Sequence, residues 1–239
     1  MKPKEPSRGG DPFGRNLTFG LLDALGRAIV TGEYDDARFP TEAELAAEHG
    51  VSRSVTREAV KMLTAKGLLT ARPRKGTTVQ PSSSWNLFDT DVLRWLLERN
   101  FSLDLLRHFT ELRIAIEPAA AALAARNADE ADIEAVKAGY RRMEDAAVGE
   151  DDHLDSDIDF HIAVLEASGN PFYRQFRDVV ATALQKSISF TNRNGGRASL
   201  PAHAAVLKAI EARNAKGAEA AMTRIIASVR DQIKEAEPS

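Results

Sequence analysis

The sequence predicts a mainly α protein, an N-terminal winged helix-turn-helix followed by an all-α antiparallel helical bundle. Three observations carry this. Residues 39–79, FPTEAELAAEHGVSRSVTREAVKMLTAKGLLTARPRKGTTV, hold two capped helix patterns and then a basic, alternating hairpin pattern. From Thr90 onward every apolar pattern reads as helix, rich in Ala, with no convincing strand. Charge divides at the same place: residues 1–80 balance at +3 although the whole chain is −3, which leaves −6 for the remainder. The boundaries expected are a flexible arm at 1–15, a DNA-binding domain at 16–80, a linker at 81–89 and the bundle at 90–239.

The arm is rich in Pro, Gly and charge. A first helix is expected from about Leu17 to Val30, with Leu21, Leu22, Leu25, Ala28 and Ile29 as its buried stripe and Gly32 after its end. Thr41 and Glu44 form a capping-box pattern that opens a second helix over Glu42–Glu48. Gly50 supplies the turn, and Ser52 caps a third helix whose apolar positions are Val55, Ala59, Val60, Met62 and Leu63. This leaves Arg53, Ser54, Thr56 and Arg57 at the exposed start of that helix. The start of the second helix of such a pair enters the major groove, where Arg grips guanine through O6 and N7, so Arg53 and Arg57 are the candidate base readers. After Gly67 the alternation around Arg72, Arg74, Lys75 and Gly76 reads as a wing. Seven basic residues against one acid, Glu58, between Ser52 and Gln80 favour phosphate binding, and Lys61 belongs to this set. The partner expected is double-stranded operator DNA; the competing reading is a solvated helical pair in a protein-binding winged helix.

Residues 81–84, PSSS, form the linker's core. Helices are then expected at 90–99, 103–126, 129–148, 151–168, 171–192, 199–213 and 215–235, with a kink near Glu117 from Pro118 and a cap at Asn170. Trp85 and Trp95 are read as packing at the domain junction. Asn192, Arg193 and Asn194 fall in a polar loop with no assigned role.

Asp157 and His161 are four apart and share one helix face, and His203 sits near the start of a later helix. A carboxylate with two imidazoles suits a divalent ion such as Zn, Ni, Mn or Fe with positions left open. The spacing fits a salt-bridged or core-facing pair as well.

The chain also carries ELRIAIEPAAAALAA, DFHIAVLEASGNP and HAAVLKAIEARN. With the helix-turn-helix, these segments resemble bacterial regulators of the GntR family, in the FadR subfamily with an all-helical FCD effector domain. WNLFDTDVLRWLLE further resembles members that answer to sugar acids, galactonate-responsive repressors among them. The resemblance implies a ligand-responsive repressor of a sugar-acid or small-carboxylate catabolic operon. In metal-binding FCD domains an Asp, a His four residues on, a His opening the penultimate helix and a third His on the last helix surround the ion. Asp157, His161 and His203 match the first three; the third His falls at about Ile225, which cannot ligate. Either the site is lost, or three ligands are completed by water and by effector oxygens. The resemblance implies Arg113, in the ELR segment, as the anchor of the effector carboxylate; the alternative is a surface ion pair with Glu117. Ala43 stands where many relatives carry an operator-contacting Arg, which enlarges the share of Arg53 and Arg57.

Absence of cysteine excludes disulfides and thiolate sites. No apolar run reaches the ~18 residues of a membrane span, and no signal-peptide core opens the chain, so a cytoplasmic protein without a membrane partner is expected. One winged helix contacts few bases, so a homodimer on an inverted repeat is expected. Two other functions compete with the regulator: a metal-dependent hydrolytic enzyme fused to a DNA-binding domain, and a structural DNA protein without effector.

Overall fold

The computed structural model describes residues 12–35, 37–72, 76–99, 103–193 and 199–236. It separates into two compact units, residues 1–99 and 100–239. Residues 1–11 of the expected arm lie outside the described residues. The remainder of that arm does not form one: α1 spans Pro12–Thr31 and starts before the expected Leu17. Proline at the first helical position explains the early start, since its missing N–H is not needed there.

In the first unit α2 (Glu42–Glu48) and α3 (Arg53–Ala65) follow α1. The Thr41 hydroxyl accepts from the Glu44 N–H, and the Glu44 carboxylate accepts from the Thr41 N–H at 2.7 Å, so the capping box is present in full. Gly50 turns the chain at φ 63°, a left-handed conformation that a side chain would strain, and the Ser52 hydroxyl accepts from the Val55 N–H to open α3. The wing is an antiparallel pair, β1 (Leu69–Arg72) and β2 (Gly76–Val79), registered Leu69 to Val79 and Arg72 to Gly76. Arg74 and Lys75, expected at its tip, lie outside the described residues. Leu21, Leu22, Leu25 and Ile29 of α1 meet Leu45, Leu63 and Leu69 in one core.

The linker holds a 3-10 turn at Ser82–Ser84 and leads into α4 (Thr90–Arg99). The sequence assigns this helix to the bundle, whereas it packs on α1 inside the first unit. Trp95 is buried there, and a Cβ at Gly26 would lie only 2.3 Å from its Cη2. The Trp95 indole N–H donates to Asp23 at 2.8 Å, and Lys66 holds Asp89 at 2.7 Å and Asp91 at 2.9 Å across the linker. Trp95 is thus a core residue of the DNA-binding unit, and Trp85 packs on the same core.

The second unit contains α5 (Leu103–Asn127), α6 (Glu130–Ala147), α7 (His153–Ala167), α8 (Pro171–Arg174), α9 (Arg177–Arg193), α10 (Leu200–Glu211) and α11 (Ala215–Ala236). α5 continues as one helix past Pro118. The single helix expected at 171–192 is two. Bonds from Gln175 N–H to Phe172 C=O and from Phe176 N–H to Tyr173 C=O tighten the chain between them into a turn. Asn192 and Arg193, read as loop, close α9, and Asn194 lies outside the described residues. Ala121, Ala124 and Ala125 of α5 give short-side-chain contacts in a core shared with Phe160, Val164, Val206, Ile210, Met222 and Ile226, and Ile225 packs partly buried against it.

Candidate functional site

The DNA-reading candidates sit at the start of α3. Arg53, Ser54 and Arg57 are exposed there. Thr56 is not: it is fully buried and its hydroxyl donates to the Ser52 carbonyl at 3.2 Å. It is a packing residue, because the fourth position of the helix turns inward and not toward solvent. The Arg57 guanidinium lies 3.3 Å from the Glu42 carboxylate, and Lys61 pairs with Glu58 at 2.9 Å, both exposed. Arg72 and Gly76 close the two wing strands and are exposed. Lys66 is spent on the linker aspartates, so it drops out of the phosphate-facing set.

The second candidate centre lies where α5, α7 and α10 face one another. Asp157, His161 and His203 are all buried, and one ligand atom from each lies within 4.8 Å of the others. Among the described residues of the second unit, buried ionisable side chains occur only here: Arg113, Glu117, Asp157, His161 and His203. The sequence reading placed the Arg113–Glu117 pair on a surface as the alternative to an effector anchor. The pair exists but is buried, with Nε donating to Oε1 at 2.5 Å and Nη2 to Oε2 at 3.3 Å. Burial would push the Glu117 carboxyl up, but the Arg113 charge, and then His161, hold it well below the usual carboxylate range. Asp157 follows the same pattern: burial raises it, while His203, His161 and Arg113 lower it further.

The imidazoles are held from behind. His203 Nδ1 lies 2.9 Å from the Ser199 carbonyl, which can only accept, so Nδ1 carries a proton, and in the neutral ring Nε2 is left with a lone pair. That lone pair faces Asp157 Oδ1 at 3.1 Å, and both atoms are buried without an aligned hydrogen bond. His161 Nε2 lies 3.6 Å from the same oxygen, too far for a hydrogen bond. Phe160 closes one side, its ring 5.0 Å from that of His203 and 5.9 Å from that of His161. Two electron-rich atoms facing each other in a dry site repel unless a proton or a metal cation lies between them, and a carboxylate with two imidazoles gathered within 4.8 Å is a donor set that fits a divalent ion. Glu117 is the residue that sequence reasoning left without a role; its i, i+4 spacing from Arg113 was visible, its burial against His161 was not.

Both halves match known proteins. Residues 20–79 match the model of bacterial regulatory proteins of the gntR family, and residues 108–228 match the FCD domain. The galactonate operon transcriptional repressor of Escherichia coli (strain K12) is 32% identical over 225 residues, 92% of this chain and 98% of that protein. The uncharacterized HTH-type transcriptional regulator YieP of the same organism is 38% identical over 174 residues, 68% of this chain and 72% of its own. Its putative L-lactate dehydrogenase operon regulatory protein is 30% identical over 234 residues, 92% and 87% of the two chains. No described helix is long and apolar enough to cross a membrane. A basic winged helix-turn-helix, an all-helical second unit and these matches agree: the chain belongs to the gntR family of bacterial regulatory proteins, in its FCD-domain branch, and is a ligand-responsive, DNA-binding transcriptional regulator and not an enzyme.

Proposed function

We propose that the protein is a cytoplasmic, homodimeric repressor of a sugar-acid or small-carboxylate catabolic operon, whose FCD domain binds a divalent metal and an acidic effector in one pocket. The observation that carries this is the buried pair of Asp157 Oδ1 and His203 Nε2, 3.1 Å apart and without an aligned hydrogen bond, beside His161. Asp157, His161 and His203 would hold the ion, and the ion would supply open positions for the carboxylate and hydroxyl oxygens of a hydroxy acid. Arg113 anchors the effector carboxylate. Because Glu117 already neutralises it, Arg113 adds direction and hydrogen bonds to the pocket and no net charge. With a divalent ion, Asp157, Glu117 and Arg113 together leave the pocket one positive charge, which suits a monocarboxylate. The galactonate repressor, similar over nearly its whole length, supports an aldonate as the first effector to try.

On DNA, Arg53 and Arg57 read bases, Ser54, Lys61, Arg72, Arg74, Lys75 and Gly76 serve the backbone, and two copies read an inverted repeat. Effector binding releases the operator to the extent that the effector favours the DNA-incompetent state. Calorimetry with metal-stripped and metal-loaded protein tests the pocket: aldonate is expected to bind only the loaded form. Equal affinity in both forms refutes the metal-bridged pocket. Light scattering with footprinting tests the assembly, and a monomer protecting a single half-site refutes it.

A further inference from the structure

Glu117 is 1% exposed, and its carboxylate serves two partners, Arg113 on both oxygens and His161 on Oε2. Oε1 takes the Arg113 Nε–H, and Oε2 lies 2.6 Å from His161 Nδ1. The second approach is at hydrogen-bond distance, although the ring directs Nδ1 off the ideal line. A bare lone pair that close to a carboxylate oxygen is repulsive, so the proton belongs on Nδ1. The surroundings of the other ring nitrogen agree with this. Arg113 Nη2, which has only hydrogens to offer, lies 3.5 Å from His161 Nε2, a long contact that agrees with Nε2 as the acceptor. Arg113 and Glu117, one turn apart on α5, face opposite nitrogens of one imidazole on α7; the 2.6 Å approach of Glu117 sets the tautomer, and the longer Arg113 contact agrees with it.

We propose that Glu117 is a positioning residue of the pocket: its carboxylate fixes the His161 proton on Nδ1 and keeps Nε2 as an open electron pair beside Asp157 and His203. A carboxylate behind a ligating imidazole sets the ring's tautomer and orientation and raises its donor strength. His203 obtains the same tautomer from a neutral backbone carbonyl, so the two imidazoles differ in donor strength although both present Nε2. Arg113 keeps Glu117 ionic in a buried place, and its weak contact with Nε2 is the one an incoming cation displaces. The tautomer assignment stands on the protein's own groups; its consequence for metal affinity rests on the metal reading above.

The test is a long-range nitrogen–proton NMR experiment on full-length, metal-stripped protein labelled with 15N-histidine, followed by Co2+ titration of the same samples. In the wild type both His161 and His203 are expected as Nδ1–H forms, with a His203→Gln variant assigning the signals. Arg113→Met/Glu117→Met removes the anion without stranding a buried guanidinium. It is expected to release His161 from the Nδ1–H form, leave His203 unchanged, and weaken Co2+ binding by roughly 10–100-fold. Arg113→Met/Glu117→Gln, whose amide oxygen still accepts, is expected to restore most of the Nδ1–H form. An Nε2–H form of His161 in the wild type, or an unchanged tautomer in the double-Met variant, overturns the proposal. Wild-type protein with the expected tautomer but no Co2+ binding refutes the metal reading and leaves the Glu117 assignment standing.

Discussion

Gly26→Ala is the sharpest test of where the first unit ends. On an open helix face this change stabilises by about 0.5–1 kcal/mol, because Gly costs more backbone entropy than Ala. Here the new Cβ falls 2.3–2.5 Å from three ring carbons of Trp95, which is only 1% exposed. The ring must move, and overpacking of this kind costs about 1–3 kcal/mol. Moving it also pulls the indole N–H from the Asp23 carboxylate, where it lies at 2.8 Å, and a hydrogen bond to a charged group contributes about 1.5–3 kcal/mol. After the helix gain is subtracted, the net loss is about 1.5–5.5 kcal/mol. Urea denaturation followed by tryptophan fluorescence measures it, and a Gly26→Ala/Trp95→Leu double variant separates the causes. Relief of the clash makes the pair non-additive, so the double variant is expected to be more stable than the sum of the singles implies. A neutral or stabilising Gly26→Ala would mean that α4 does not pack on α1, and the domain boundary would return to residue 89.

Three further outcomes are expected. Arg53→Ala should lower discrimination between operator and scrambled DNA by about 1–3 kcal/mol, whereas Lys61→Ala should weaken both alike and flatten the salt dependence; competition binding at several salt concentrations distinguishes them. Asp23, normally near 3.8, is held at about 2: burial raises it, but hydrogen bonds from Trp95, Arg94 and Arg27 more than offset that. A depressed carboxyl stabilises the fold above its unfolded value and loses that contribution as pH falls through the folded one, so the first unit should weaken between about pH 4 and 2, and Asp23→Asn should flatten that decline in urea midpoints. Chelation should lower the melting point of metal-loaded protein, since an ion at a hundredfold its Kd contributes about 2.7 kcal/mol. His203→Ala should abolish the difference, and loaded and stripped wild type melting together would argue against a resident ion.

The parts of the fold legible in the sequence are those set by neighbours along the chain. Thr41 with Glu44, Ser52 before Val55, and Gly50 between them act within four residues, and their helices begin and end where expected. The pairing of Asp157 with His161 is likewise one turn of helix. What escaped depends on residues far apart. The apolar stripe of α4 shows that Val92 and Trp95 are buried but not against which core, and only Gly26, on a different helix, decides it. Thr56 looked like an exposed polar residue because its burial comes from the packing around α3. Arg113 and Glu117 were seen as partners, yet their removal from water required α7 to cross α5, and no local pattern records that crossing.

The gathering of every described buried charge of the second unit into one interlocked group has a consequence for how this domain can vary. Breaking a buried pair by changing one partner costs about 3–5 kcal/mol, while exchanging both for apolar residues of like volume is often neutral. Loss of Arg113 strands Glu117, and loss of Glu117 strands Arg113 and frees the His161 ring. Neutral drift through single substitutions is therefore closed at these positions. Descendants of this sequence that abandon the site have to cross a valley of unstable intermediates or exchange Arg113 and Glu117 together, and the two positions should covary as a unit in any lineage that has done so.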